Sequence, residues 1–288
     1  MKIFKKYSFF EKILFPPIFL NADHLQGKIK NKTILITGAS FGIGEALAYM
    51  LAKTGANLIL VARTTSKLLE VQEKVILLGG KALIFSADIS KTEDVKELIN
   101  FLNNLTHGVD IIVNNAGKSI KRAIMNSLER HHDFSRLMAI NYLGPVQLLL
   151  SQILPLKIKE GHIINISTVN VLLAPAPYWA AYNASKIAFD NWFQSISPEI
   201  RALGLSTTSI YLPLVKTRMI APTPEFKKTP AMNPEQVAQI ICKTIIKKNK
   251  IYYPWWIIFA KPASFIFRRQ WENIAINFFR KKINLNET

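Results

Sequence analysis

Cysteine is nearly absent from this chain. A single Cys242 among 288 residues excludes an intramolecular disulfide framework and any cysteine-held zinc cluster, and it fits a reducing compartment. Histidine is also sparse. The five residues show no metal-ligand spacing and the adjacent His131-His132 reads as a solvated pair, so no metal site is expected. The apolar stretches of residues 1–20 are too short for a membrane span, and no small-residue cleavage site follows them. Repeats and low-complexity tracts are missing, and 49% hydrophobic residues argue against disorder except at the ends. Acids are scarce too: 19 Asp and Glu stand against 37 Lys and Arg, a formal net charge of +18.

That excess is uneven. Residues 1–32 carry seven basic residues against two acids and residues 243–288 carry ten against two, so the ends supply +13 of it. Such a balance draws polyanions: nucleic acid, anionic lipid headgroups, or a phosphorylated carrier such as coenzyme A. Residues 1–20 alternate bulky apolar residues with lysines until Pro16-Pro17 stops any helix. They read either as an interfacial segment on a membrane or as an arm packed on its own domain or a partner subunit. Tyr252–Phe259, Phe265–Trp271 and Phe278–Lys282 interleave aromatics with basic residues. A membrane interface is the first reading of this tail, single-stranded nucleic acid the second and a subunit contact the third. The expected organisation is therefore a basic, aromatic extension (1–30), a central domain (31–253) and a basic, aromatic tail (254–288), in a cytoplasmic protein associated with the cytoplasmic face of a membrane.

The stretch that organises the centre is Thr37-Gly-Ala-Ser-Phe-Gly-Ile-Gly44. The apolar Thr33–Ile36 before it has the unbroken look of a buried parallel strand, and the helix formers Glu45–Ala52 follow it. Strand, glycine turn and helix form a phosphate site: glycines let the backbone approach a pyrophosphate, and the helix start supplies free N–H groups. Further apolar runs at 57–62, 82–87, 109–113, 162–166, 206–212 and 250–253 alternate with helical stretches, including long helices at 133–154 and 182–203. Ser90-Lys-Thr-Glu93 reads as a capping box. This pattern predicts a doubly wound, Rossmann-type α/β fold with a parallel sheet of about seven strands and helices on both faces.

Ligands in such a sheet sit beyond the carboxyl ends of the strands, and there the polar residues gather: Ser40, Arg63, Asp88, Asn115, Ser167-Thr168 and Thr217. Tyr182 and Lys186 stand four apart on one helix face, where a lysine ammonium is expected to lower the phenol's pKa for proton exchange with a substrate oxygen. Arg63 at the end of the second strand suits the 2′-phosphate of NADP, where an acid would suit NAD, and Ser40 can donate to the same phosphate. NADPH/NADP+ is the expected cofactor.

These pieces, in this order and spacing across residues 30–250, resemble the short-chain dehydrogenases/reductases: Thr37–Gly44, Asp88, Asn114-Asn-Ala-Gly117, Asn141, the Ser167-Thr168 pair and Tyr182-x-x-x-Lys186. The resemblance implies that Tyr182 exchanges the proton, Lys186 also binds the nicotinamide ribose, and Asn141 supports a water-linked relay. A hydroxyl after the fifth strand polarises the substrate carbonyl. Thr168 falls in that place, with Ser167 the alternative if the loop shifts. The implied cofactor set is Gly38, Ser40, Phe41, Gly42, Ile43, Gly44, Arg63, Asp88, Ile89, Asn115, Ala116, Gly117, Val215 and Thr217, with Tyr182 and Lys186. Two departures stand out: threonine replaces the family's usual serine, and Pro213 replaces a glycine after the sixth strand, so that loop must run differently.

The apolar Val169–Trp179 and the proline-broken Pro213–Phe226 should flank the nicotinamide and make a greasy pocket for a lipophilic carbonyl substrate. Pro213-Leu-Val-x-Thr217-x-Met-Ile-Ala-Pro-Thr223 with Asn233–Ala238 is similar to the reductase domain of bacterial fatty acyl-CoA reductases, which implies reduction of a long-chain acyl thioester to an aldehyde. A simpler ketone or aldehyde reductase stays open. A homo-oligomer is expected and nucleic acid is not. The alternative to turnover is a non-catalytic NADP(H)-binding sensor or nucleic-acid binder on the same fold.

Overall fold

The computed structural model describes residues 7–220 and 223–284. An N-terminal arm carries α1 (Phe9–Leu14) and α2 (Ala22–Ile29) and leads into β1 (Thr33–Thr37). The chain continues through α3 (Gly42–Leu51), β2 (Asn57–Ala62), α4 (Thr65–Leu77), β3 (Lys81–Ser86), α5 (Thr92–Asn103) and β4 (Ile111–Asn114). Then come α6 (His131–Met138), α7 (Gly144–Ile158), β5 (His162–Thr168), α8 (Ala180–Ala202), β6 (Ser206–Leu212), α9 (Pro234–Lys247) and β7 (Ile251–Tyr252). Two further helices follow, α10 (Ile257–Ile266) and α11 (Arg268–Asn284).

The β-branched runs form strands because both faces of each are covered. β1 is buried at every position and pairs in parallel with β2 on one side and β4 on the other. The order is β3-β2-β1-β4-β5-β6-β7, all parallel, so the sheet is the doubly wound Rossmann type and reverses direction between β1 and β4. One core layer joins Leu47, Leu51, Val71, Val237 and Ile241 over β1 and β2; the other joins Val95, Leu98, Leu148, Leu156, Phe189 and Phe193 beneath them. The crevice at the reversal point is where βα loops can hold a ligand.

Among the described residues, one helical stretch (131–158) has the length and apolarity to cross a membrane. It covers the sheet, with Leu137, Leu148, Leu149 and Leu156 buried. The sequence pattern predicts one helix over 133–154. Instead α6 and α7 are joined by a π-helical turn, Ala139–Leu143, of the kind that recurs at functional sites. The expected capping box at Ser90 does not form. Asp88 Oδ1 accepts both the Ser90 N–H (3.0 Å) and its hydroxyl (2.6 Å), and α5 begins after Lys91 without a side-chain cap.

The arm packs on its own domain with one side. Phe15, Leu25 and Ile29 are buried in the first core layer. Tyr7 donates to Gln236 Oε1 and accepts from the Asn233 N–H at 2.7 Å, while Glu11 pairs with Lys216 at 2.5 Å. Its other side leaves Phe9, Phe10 and Phe19 exposed. Residues 1–6 of the N-terminal segment, Ala221-Pro222 of the Pro213–Phe226 stretch and residues 285–288 lie outside the described residues.

Candidate active site

The turn between β1 and α3 is shaped by close backbone approach. Gly38 has φ +67°, and a Cβ there would lie 2.9 Å from Ala116 Cα. At Gly44 a Cβ would run into the Gly38 carbonyl and lie 2.9 Å from Ala39 Cα. The turn is latched from the β4 end: Asn115 Nδ2 donates to Thr37 O (2.9 Å) and Gly38 O (3.2 Å), and Thr37 Oγ1 accepts the Asn115 and Ala116 N–H groups, each at 3.0 Å. The Asn115 side chain is thus occupied in holding the loop. Phe41 at the start of α3 makes no side-chain cap, so the first-turn N–H groups from Gly42 to Gly44 are left to a ligand at the positive end of the helix.

Around this cradle stand the other residues singled out by sequence. Ser40 and Ile43 are half-buried in the turn, and the Arg218 guanidinium lies 4.8 Å over the Phe41 ring. Arg63 is exposed at the end of β2, with Nη1 4.0 Å from Asp88 Oδ2. Burial pushes the Asp88 carboxyl up, but two hydrogen bonds from Ser90 and the charges of Arg63 and Lys91 hold it below its usual value. Ile89 is buried in the second core layer. Beyond β6, Pro213 sends the chain across to Met232. The Met232 N–H bonds Leu214 O and the Lys216 N–H bonds Met232 O, both at 2.8 Å, so Val215 is buried and Thr217 rests against Gly42.

Tyr182, Lys186 and Asp190 recur every four residues and therefore line one face of α8. Burial pushes the Tyr182 phenol up to about 12, and a hydrogen bond with the Thr168 hydroxyl pulls the other way. Burial also drives Lys186 down to about 8, while the Asp190 charge holds it up. The expected lowering of the phenol by the lysine does not occur. Lys186 Nζ donates to Ile166 O at 3.2 Å, and burial of the phenol dominates. The two β5 hydroxyls part as strand alternation requires. Thr168 meets Tyr182, whereas Ser167 is buried on the Asp190 side.

No motif announces Asp190 in the sequence; its only local signal is the four-residue spacing after Lys186. Its Oδ2 accepts from Gln194 (2.5 Å) and the Tyr211 hydroxyl (3.3 Å); burial still raises its carboxyl above the usual range. Asn141 lies in the π-turn, where an ordinary helical turn would place it elsewhere. Its Oδ1 accepts the Lys118 N–H, and its Nδ2 donates to Lys118 O and Ser185 Oγ, each at 2.9 Å. It joins the stretch after Gly117 to α8.

Aromatic side chains roof the site. Trp179 meets Tyr182 edge-on at 5.7 Å and stacks on Phe226 at 5.9 Å. Lys121 pairs with Glu225 at 3.1 Å and lies 5.6 Å above the Tyr178 ring. Tyr178 itself has φ +69°, a strained value for a bulky side chain. Its carbonyl accepts the Arg122 N–H at 2.8 Å and its ring meets Phe279 of α11 at 5.3 Å. These contacts join loops far apart in the chain, and no local pattern announces them.

The family model for short chain dehydrogenases matches residues 32–228. A fatty acyl-CoA reductase of Acinetobacter baylyi is 44% identical over 224 residues, 77% of this chain and 75% of that protein. Another protein of that name, from Mycobacterium tuberculosis, is 37% identical over 227 residues, 78% and 77% of the two chains. Among solved structures, a 3-oxoacyl (acyl-carrier-protein) reductase from Agrobacterium tumefaciens with NADP bound superposes with a TM-score of 0.68 at 26% identity, covering 78% of this chain and 92% of its own. The chain belongs to the short-chain dehydrogenase/reductase family and is an oxidoreductase.

Proposed function

We propose that the protein is an NADPH-dependent reductase of a lipophilic carbonyl substrate, with a long-chain acyl thioester the first choice and a fatty aldehyde or ketone the second. The observation that carries this is the meeting of the Tyr182 and Thr168 hydroxyls beside Lys186, under an aromatic roof. The residues present fit the dinucleotide. The glycine cradle admits no side chain, the α3 start is uncapped, and Arg63 supplies a cation where a 2′-phosphate would lie. Gly38 to Gly44, with Thr217 against them, would hold the pyrophosphate, and Arg63 with Ser40 the 2′-phosphate. The Asp88-Ile89 and Asn115–Gly117 loops would line the adenosine side, and Val215 and Lys186 the nicotinamide side. When bound, the nicotinamide supplies the hydride for carbon. The names and ligands of the relatives support the choice of acyl substrate and of NADP.

The chain's own residues handle the oxygen. A phenol held at about 12 is fully protonated at neutral pH, the state a proton donor needs for reduction. Thr168 donates a hydrogen bond to the same carbonyl oxygen and polarises it. Lys186, pushed down to about 8, releases or takes a proton near working pH and so replenishes Tyr182, with Asn141 holding the Lys118 backbone along the route. With a thioester, hydride and proton addition yields a hemithioacetal, which expels the thiol and leaves the aldehyde. In the cell, a second copy of the chain would cover the exposed Leu143, Leu150, Leu154 and Ile158 of the α7 region, and the ends would bind the cytoplasmic face of a membrane. An NADPH-oxidation screen across acyl-thioester, aldehyde and ketone chain lengths tests the reading. Turnover rising with chain length supports it. NADPH binding with no turnover on any of them replaces it with a sensor.

A further inference from the structure

The two basic ends meet at the β7 edge of the sheet. Trp255, just before α10, donates its indole N–H to Ile13 O of α1 at 3.0 Å. Between them opens a cavity of about 470 Å³ walled by Phe15, Pro16, Tyr253 and Trp255, with Lys243 and Lys247 of α9 along its side. Phe9 and Ile13 share a face of α1, and Trp255 contacts Phe259, so exposed apolar side chains run unbroken from arm to tail; Phe9 is 82% and Phe259 67% exposed. Ile266, two turns beyond Phe259, is 71% exposed. Soluble surfaces rarely leave such a run uncovered.

The charge around this run is predominantly basic. Lys12, Lys28, Lys247, Lys261 and Arg269 are exposed on the arm, α9, α10 and α11. Of the acids on these elements, Glu11 pairs with Lys216 and Glu272 with Arg268, and the exposed Asp23 and Glu235 are outnumbered by the cations. Apolar residues ringed by uncompensated cations match an anionic bilayer, with apolar groups below the headgroups and cations among them. A helix of ten residues, α10, is too short to span and suits the plane of the interface. The same helices also form the rim of the cleft. Ser264 of α10 accepts the Ala174 N–H at 3.2 Å, Ile257 packs on Val169 and Tyr211, and Phe279 of α11 meets Tyr178 next to Trp179.

We propose that the face made by α1, α10 and α11 docks on an anionic lipid bilayer and sets the mouth of the cleft at the lipid surface, so that acyl chains enter from the bilayer. This rests on the reductase reading for its substrate and on the surface alone for its docking. The full-length chain is to be floated with phosphatidylcholine vesicles, with and without about one-third phosphatidylglycerol. It floats with the anionic vesicles and much less with the neutral ones. Phe259→Glu/Ile266→Glu lowers the bound fraction by at least about tenfold, and Lys243→Glu/Lys247→Glu removes the preference for anionic lipid. NADPH binding and turnover of a short, water-soluble substrate stay at wild-type values in both variants, which also shows that they fold, while turnover of a palmitoyl thioester presented in vesicles falls. Wild-type protein that stays unbound, or variants that float as well as it does, overturn the docking. So does a dimer by light scattering that Phe259→Glu/Ile266→Glu splits into monomers, which would place this face in a subunit contact, or a preference for single-stranded oligonucleotides over vesicles. A wild type that floats but turns over neither substrate leaves docking intact and refutes the reductase reading instead.

Discussion

Replacing Thr168 by Val removes one hydroxyl and almost no volume. The hydroxyl it removes is the one bonded to Tyr182, so the substrate oxygen would keep the phenol and lose its second donor. Loss of a donor aimed at a developing oxyanion costs about 2.7–4 kcal/mol in a dry site. Thr168 is only half-buried, so water recovers part of that, and the expected loss is about 2–3 kcal/mol, or roughly 30- to 150-fold in kcat. Thr168→Ser restores the hydroxyl and should stay within about threefold of wild type. Ser167→Ala is the control. Its hydroxyl is buried on the Asp190 side, away from Tyr182, so its loss should cost about 1 kcal/mol of stability or less, read as a small fall in Tm, with kcat within about threefold. Steady-state NADPH oxidation and thermal melts read both effects. A Ser167→Ala enzyme as slow as Thr168→Val, or a Thr168→Val enzyme of wild-type rate, refutes the assignment.

Arg63→Ala should weaken NADPH binding by about 10- to 100-fold and leave NADH nearly unchanged, read by fluorescence titration, because the guanidinium pairs with a 2′-phosphate that NADH lacks and its 4.0 Å approach to Asp88 is exposed and weak. Equal loss for both cofactors would contradict it. Lys186 at about 8 implies that the reductive kcat/KM falls by one proton's worth near pH 8, and Asp190→Asn should move that midpoint lower, since the carboxylate supports the ammonium. A flat profile across the alkaline range argues against a lysine relay. His162 is buried and held down to about 3, so it stays neutral in the fold while the unfolded chain protonates below about 6.5. Stability from this group is complete above that pH and is lost as pH falls, by about 2 kcal/mol at pH 5, and urea melts of His162→Gln should show a shallower decline.

Much of this architecture is visible in the amino-acid order because central strands buried on both faces read as nearly unbroken apolar runs, as Thr33–Thr37 and Asn57–Ala62 do. Gly38 and Gly44 are legible for a related reason: backbone packs on backbone there, and no other residue fits. What the sequence hides depends on distant partners. The π-turn that presents Asn141 interrupts a stretch with no breaker before Gly144. Ser90 has the chemistry of a cap, but Asp88 takes its hydroxyl first. The phenol of Tyr182 follows its burial rather than its neighbour Lys186, and burial is a property of the whole fold. The arm illustrates the same point, since Tyr7 finds its partner Gln236 across nearly the full length of the chain.

The central claim is that Tyr182 gives its proton to the carbonyl of a lipophilic substrate. NADPH oxidation with a long-chain acyl thioester, wild type against Tyr182→Phe, tests it most directly, with NADPH affinity measured on both. The expected result is a loss of about 10²- to 10⁴-fold or more in turnover with affinity unchanged. A Tyr182→Phe protein that turns over at the wild-type rate would contradict it.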